Sequence, residues 1–98
     1  MDIDPSDIAA QLDLAQALRA LGKYPEAAAA AQAALVLQPT NLDALLEAAR
    51  AKIDENQGFY AIDDARKAES LAPRDWRPVS LLAIALAQSD RDEEALQA

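Results

Sequence analysis

The chain is 98 residues long, 52% apolar and formally −8 in charge, with no Cys and no His. That length allows one small domain, and an apolar content this high with periodic patterning excludes a disordered chain. Without Cys or His there is no disulfide, no thiolate and neither the commonest general base nor the commonest metal ligand.

The acidity is concentrated at the ends. Asp2, Asp4 and Asp7 come first, Asp90, Asp92, Glu93 and Glu94 come last beside a single Arg91, and residues 8–89 hold ten acids and eight bases. A nearly neutral body offers no basic face to phosphates, so nucleic acid is excluded as a partner. The longest nearly apolar stretch, residues 27–37, is interrupted by Gln32 and falls short of the ~18 residues of a membrane span. Met1-Asp2-Ile3-Asp4 has no basic n-region, so no signal peptide is expected. Ala occurs 25 times and Gly twice, a composition that favours closely approaching helices.

In chain order, Asp4-Pro5-Ser6-Asp7 starts a helix, with Asp4 as cap and Pro5 at the first position, where its missing N–H costs nothing. Ile8, Leu12, Leu14, Ala15, Leu18 and Leu21 recur at helical spacing until Gly22 closes the helix. Pro25 opens a second helix that runs to Leu37 and is stopped by Pro39. Thr40-Asn41 caps a third, from 42 to about 55, and Asn56-Gln57-Gly58 turns the chain into a fourth that Pro73 ends. Asp75 caps a fifth, from about 76 to 88, and Asp90-Arg91-Asp92 is expected to turn into a sixth, truncated helix. The short loops force neighbouring helices antiparallel.

The elements also repeat. Shifted by 34 residues, Gly22 falls on Asn56 and Asp90, Ala27 on Ala61 and Ala95, Ala15 on Ala49 and Ala83, and Pro39 on Pro73. A fixed stride of this size marks stacked supersecondary units. With Gly22, Tyr24, Ala27, Ala34 and Pro39 in the first unit, Ala61, Ala65, Ala68 and Pro73 in the second, and Leu82, Ala83 and Ala95 in the third, the chain resembles the tetratricopeptide repeat family (TPR).

The resemblance implies an all-α, right-handed superhelix of antiparallel helical hairpins, about six helices in all. It forms one domain of units 8–41, 42–75 and an incomplete 76–98. Ala15, Ala27, Ala49, Ala61, Ala83 and Ala95 are expected where the two helices of a hairpin nearly touch. The third unit stops early, so Leu81, Leu82 and Leu86 are expected to be partly uncovered. The chain is then a piece of a longer array or pairs with another copy through its C-terminal end.

Departures from the pattern carry expectations of their own. Gly58 stands where the first unit has Tyr24, so Phe59 or Tyr60 is expected to supply the packing aromatic. Lys52 stands where Leu18 and Leu86 stand and is expected to snorkel, softening that seam. Trp76 is expected to bury its ring near Pro73. Asp63-Asp64 and Glu93-Glu94 read as solvated surface.

A search for chemistry finds no catalytic, cofactor or metal constellation. Ser6, Ser70, Ser80 and Ser89 have no base to activate them. Gly22 and Gly58 are too far apart for a phosphate loop, and Asp54-Glu55-Asn56-Gln57-Gly58 lacks the spacing and closing Glu of a calcium loop. The chain reads as non-enzymatic and without a cofactor.

On the family's geometry, the first helix of each hairpin lines a concave groove. Leu12, Gln16 and Arg19, then Leu46, Arg50 and Ile53, then Arg77, Ser80 and Ile84 are expected there. Arginine forks interleaved with aliphatics suit a protein or peptide carrying acidic and apolar residues. The plainer reading is ordinary solvated helix surface. Capture of chaperone tails is disfavoured, because of the Lys and Asn set that such repeats use, only Arg77 has a counterpart among Leu12, Gln16, Glu47, Arg77 and Leu81.

Residues 55–62 and 71–78 further resemble TadD-like repeat proteins of Flp (tight-adherence) pilus assembly, which implies an envelope scaffold in bacteria. Two other roles stay open: an oligomerisation segment stacking through the C-terminal end, and the regulatory repeats of a larger enzyme.

Overall fold

The computed structural model describes the backbone of residues 7–97 and the side chains of residues 7–90. The described residues form five α-helices and no strand: α1 Ile8–Ala20, α2 Tyr24–Leu37, α3 Leu42–Asp54, α4 Gly58–Leu71 and α5 Trp76–Gln97. The expected Asp4–Pro5 start lies outside the described residues. Within them, Asp7 caps α1 by accepting from the Ala10 N–H at 3.1 Å. Asn41 caps α3 in the same way through Ala44, and Asp75 accepts from the N–H of Arg77 at the start of α5.

The two hairpin turns are built alike. Gly22 has φ +79° and Asn56 φ +66°. The following N–H reaches back to the third-last helical carbonyl, Lys23 to Leu18 and Gln57 to Lys52, both at 2.8 Å. These are Schellman closures, which need a left-handed residue, and Asn is the best substitute for Gly there.

The third copy of that turn does not form. The expected break at Asp90-Arg91-Asp92 is absent, and α5 continues to Gln97 as one helix in place of a fifth and a truncated sixth. Position 90 holds Asp where the closed turns hold Gly and Asn, and neither Gly nor Pro occurs after Pro78 to stop propagation.

Helices α1/α2 and α3/α4 pair as hairpins, α2 packs on α3, and α4 packs on α5. The molecule measures 48 × 29 × 19 Å, and its least dimension equals two layers of helices of about 10 Å each. α3 touches all four other helices and is the most deeply buried, from Ala44 through Ala49 and again at Ala51. Alanine dominates the core: Ala15, Ala27, Ala31, Ala34, Ala49, Ala61, Ala65 and Ala68 are each at most 1% exposed. Small side chains at the crossings let the helical backbones approach.

Several expectations are corrected by this packing. Ala83 is exposed, unlike Ala15 and Ala49, because no second helix folds back over α5; Ala85 is buried instead. Leu81 is buried against the core, whereas Leu86 is exposed and Leu82 half-buried. Trp76 is 75% exposed; one turn into the helix it is Pro78 that turns inward and is fully buried. Its missing N–H is harmless there, since the first-turn donors have no intrahelical acceptor. Phe59 and Tyr60 stack edge to face on each other and stay exposed. The absent aromatic is replaced by close approach: a Cβ on Gly58 would meet Gln88 Cβ at 2.6 Å and the Ala85 carbonyl oxygen at 2.8 Å.

Asp64 is likewise not a solvated surface residue. It is 8% exposed and accepts from Lys52 Nζ at 2.5 Å, so Lys52 joins α3 to α4 as an ion pair. One stride earlier, the same two places hold Leu18 and Ala30.

Candidate functional site

Consecutive first helices touch, α1 with α3 and α3 with α5, while among the described residues α2 makes no contact with α4. A stack whose first helices meet and whose second helices splay is curved, with α1, α3 and α5 on its inner side. An open pocket of about 260 Å³ lies between the α2–α3 loop and the last turn of α4, lined by Pro39, Thr40, Lys67, Ser70 and Leu71.

Of the residues expected to line the groove, Gln16, Ser80 and Ile84 are exposed, and Leu12, Arg19, Arg50, Ile53 and Arg77 are half-buried. Leu46 is not a lining residue. It is 1% exposed and belongs to the core, because α3 is enclosed by neighbours on both sides.

The three arginines share one side of the stack, and each is already engaged. Arg19 Nε donates to Glu47 Oε2 at 3.2 Å, and Arg50 Nη1 donates to Glu47 Oε1 at 3.3 Å. Arg19 Nη1 also lies 3.8 Å from Asp54. Arg77 clasps Asp75 through Nε and Nη2, the latter at 2.6 Å. Its side-chain and backbone N–H groups hold the Asp75 carboxyl below its ordinary value, while burial opposes them and the field of Arg50 assists. Asp75 in turn raises Arg77, with a further contribution from Asp43. Alternating charges thus run across the inner helices: Arg19, Glu47, Arg50, Asp75, Arg77.

Glu47 is the residue that reading the sequence missed. It is 4% exposed, and two guanidinium groups offset the cost of removing its charge from water. The signal was present in the i, i+3 spacing of Glu47 and Arg50 and in Arg19 at the inner position one unit earlier.

A guanidinium has five N–H donors in a fixed fork. Arg50 spends one on Glu47, and both Arg19 and Arg50 keep 31% of their side-chain surface open. The shared carboxylate of Glu47 therefore orients two partly open forks that keep further N–H donors unused. The described residues hold no group of three or more acidic side chains placed to bind a metal ion, and none of their helices is long and apolar enough to cross a membrane.

Comparison with protein families matches residues 8–51 to the tetratricopeptide repeat. The match spans α1, α2 and most of α3, one complete hairpin with the opening of the next, in the register that the hairpin boundaries define. With the geometry above, the fold is all-α and built of tetratricopeptide-like hairpins. Repeats of this kind generally mediate protein–protein interaction. A search of curated proteins returns no match.

Proposed function

We propose that this chain is a non-enzymatic scaffold that binds a protein or peptide segment along the inner side formed by α1, α3 and α5. The observation that carries the reading is the pair of arginine forks held by buried Glu47. Ordering such side chains in advance lowers the entropic cost of engaging a guest. Arg19 and Arg50 receive carboxylates or backbone carbonyls, and Leu12, Ile53 and Ile84 receive an apolar side chain. The guest is therefore an extended or helical segment combining acidic with apolar residues. The resemblance of residues 55–62 and 71–78 to TadD-like proteins supports a partner within a pilus-assembly machine.

Reversing Arg19 or Arg50 is a poor test, because it strands the buried Glu47 and endangers the fold. Gln16 and Ser80 are exposed and hold none of the ion pairs described above. A labelled acidic–apolar peptide, selected against the full chain from a random displayed library, is titrated by fluorescence anisotropy. Gln16→Glu combined with Ser80→Glu is expected to weaken it at least about tenfold, with far-UV circular dichroism unchanged. Equal affinity for chain and variant would remove the inner side as the binding surface.

A further inference from the structure

We infer that the outer stripe of α5 is a self-association surface that takes the α5 of a second copy in antiparallel register. The stripe is Trp76, Val79, Ala83 and Leu86. Trp76 is 75% exposed, Val79 48% and Leu86 37%, and Ala83 is exposed among them. At 100° per residue these four lie on one side of the helix. That side is roughly a third of a turn from Arg77, Ser80 and Ile84, and more than that from Pro78, Leu81 and Ala85, which pack inward. The inference therefore goes beyond the binding reading above and concerns a different surface.

The internal repeat says what kind of object fits. One stride earlier the stripe corresponds to Leu42, Leu45, Ala49 and Lys52 of α3, and there it is closed: Leu45 is 1% and Ala49 0% exposed, and Lys52 is bonded to Asp64 of α4. In α1 the corresponding small residue, Ala15, is 1% exposed. This side of a first helix is a helix-packing side in both complete units, and its central alanine marks the crossing. Among the described residues no helix covers this side of α5, which runs unbroken to Gln97.

Charge selects the occupant and its direction. Just before and at the start of α5, exposed Arg74 and the paired Asp75 and Arg77 leave a net charge of +1 (two bases less one acid); the far end carries Asp90, exposed, followed in sequence by Asp92, Glu93 and Glu94 against a lone Arg91. Two parallel copies would set like ends together. Two antiparallel copies crossing at Ala83 bring level the residues equally far before and after it, at about 1.5 Å per residue. Arg74 then comes level with the acidic end of the other helix, Asp90 lies level with its start, and Val79 falls within one residue of level with Leu86. The apolar run from Trp76 to Leu86 is about 15 Å long, three turns, and centred close to the crossing.

The test uses the full chain in sedimentation equilibrium over a concentration series. A monomer–dimer equilibrium is expected, and Ala83→Glu, on an exposed position, should raise its dissociation constant at least about tenfold with circular dichroism unchanged. Because the chain has no cysteine, Ala83→Cys reports the crossing directly. Under mild oxidation it should form a covalent dimer, whereas Ala29→Cys, exposed on α2, should not. Arg74→Glu should weaken the homodimer, and mixing it with Asp90→Lys should restore a mixed dimer. A monomer at every concentration would overturn the proposal and leave the stripe to a different protein. So would a dimer indifferent to Ala83→Glu, equal cross-linking at positions 29 and 83, or no recovery in the charge-swapped mixture. Ala83→Glu should leave peptide binding on the inner side intact, so the two surfaces fail separately.

Discussion

The Lys52–Asp64 pair is the sharpest place to test the packing, because the chain holds its own apolar control. The places of Lys52 and Asp64 in the second unit are those of Leu18 and Ala30 in the first. Replacing Lys52 by Leu copies half of the first unit's solution and leaves an aspartate side chain that is 11% exposed without its cation. Removing one partner of a fully buried pair costs about 3–5 kcal/mol. The Lys52 side chain is 22% exposed, so solvent reaches the pair and the cost falls to about 2–3 kcal/mol, of which the buried leucine returns about 1. Lys52→Leu should thus lose about 1–2 kcal/mol. Asp64→Ala should lose less than about 1, since the ammonium can slide along its stem to water. The double variant should equal or exceed the parent, giving a coupling of roughly 2 kcal/mol. Urea melts followed by far-UV circular dichroism measure all three. Lys52→Leu as stable as the parent, or a double variant weaker than Lys52→Leu, would refute the claim that Asp64 is buried against Lys52.

The other consequences are smaller in scope. Gly58→Ala drives a Cβ to within 2.8 Å of the Ala85 carbonyl oxygen, so it should cost about 1–3 kcal/mol and raise amide exchange specifically in α5. Gly22→Ala meets nothing within 4 Å but sits at φ +79°, and should cost about 1 kcal/mol in thermal melts without loosening α5. Arg77 depresses the carboxyl of Asp75 below its ordinary 3.8. Its contribution is therefore complete above that pH and is lost as pH falls through the depressed folded value. An acid titration of the melting temperature should show this step, and Asp75→Ala should flatten it.

What was legible in the sequence is what a period carries. Boundaries, caps and crossings recur each stride, so Gly22, Asn56, Pro39, Pro73 and the paired alanines located two hairpins without knowledge of any contact. Position on a helix, however, does not say how many neighbours enclose it. Leu46 and Glu47 sit on the inner side of α3 by spacing, yet they are buried because α3 lies at the centre of the stack. Trp76 was expected to bury its ring near Pro73, but the register of α5 turns Pro78 inward and Trp76 out. Lys52 read as a snorkelling residue at a soft seam and Asp64 as solvated surface, and the two make sense only as a pair across two helices. The missing third turn follows from the lack of a left-handed residue at position 90, where Asp is a weaker stop than Gly or Asn. Arg19 and Arg50 were visible, whereas their shared anchor, Glu47, needed the fold.

The central claim is that a protein segment binds the side on which first helices meet. Backbone amide shifts of the labelled full chain, followed through titration with the selected acidic–apolar peptide, test it most directly. Perturbations should cluster at Gln16, Arg19, Arg50, Ile53, Arg77 and Ile84, with α2 and the pocket around Lys67 and Leu71 unchanged. A map centred on α2 and α4 would contradict the account.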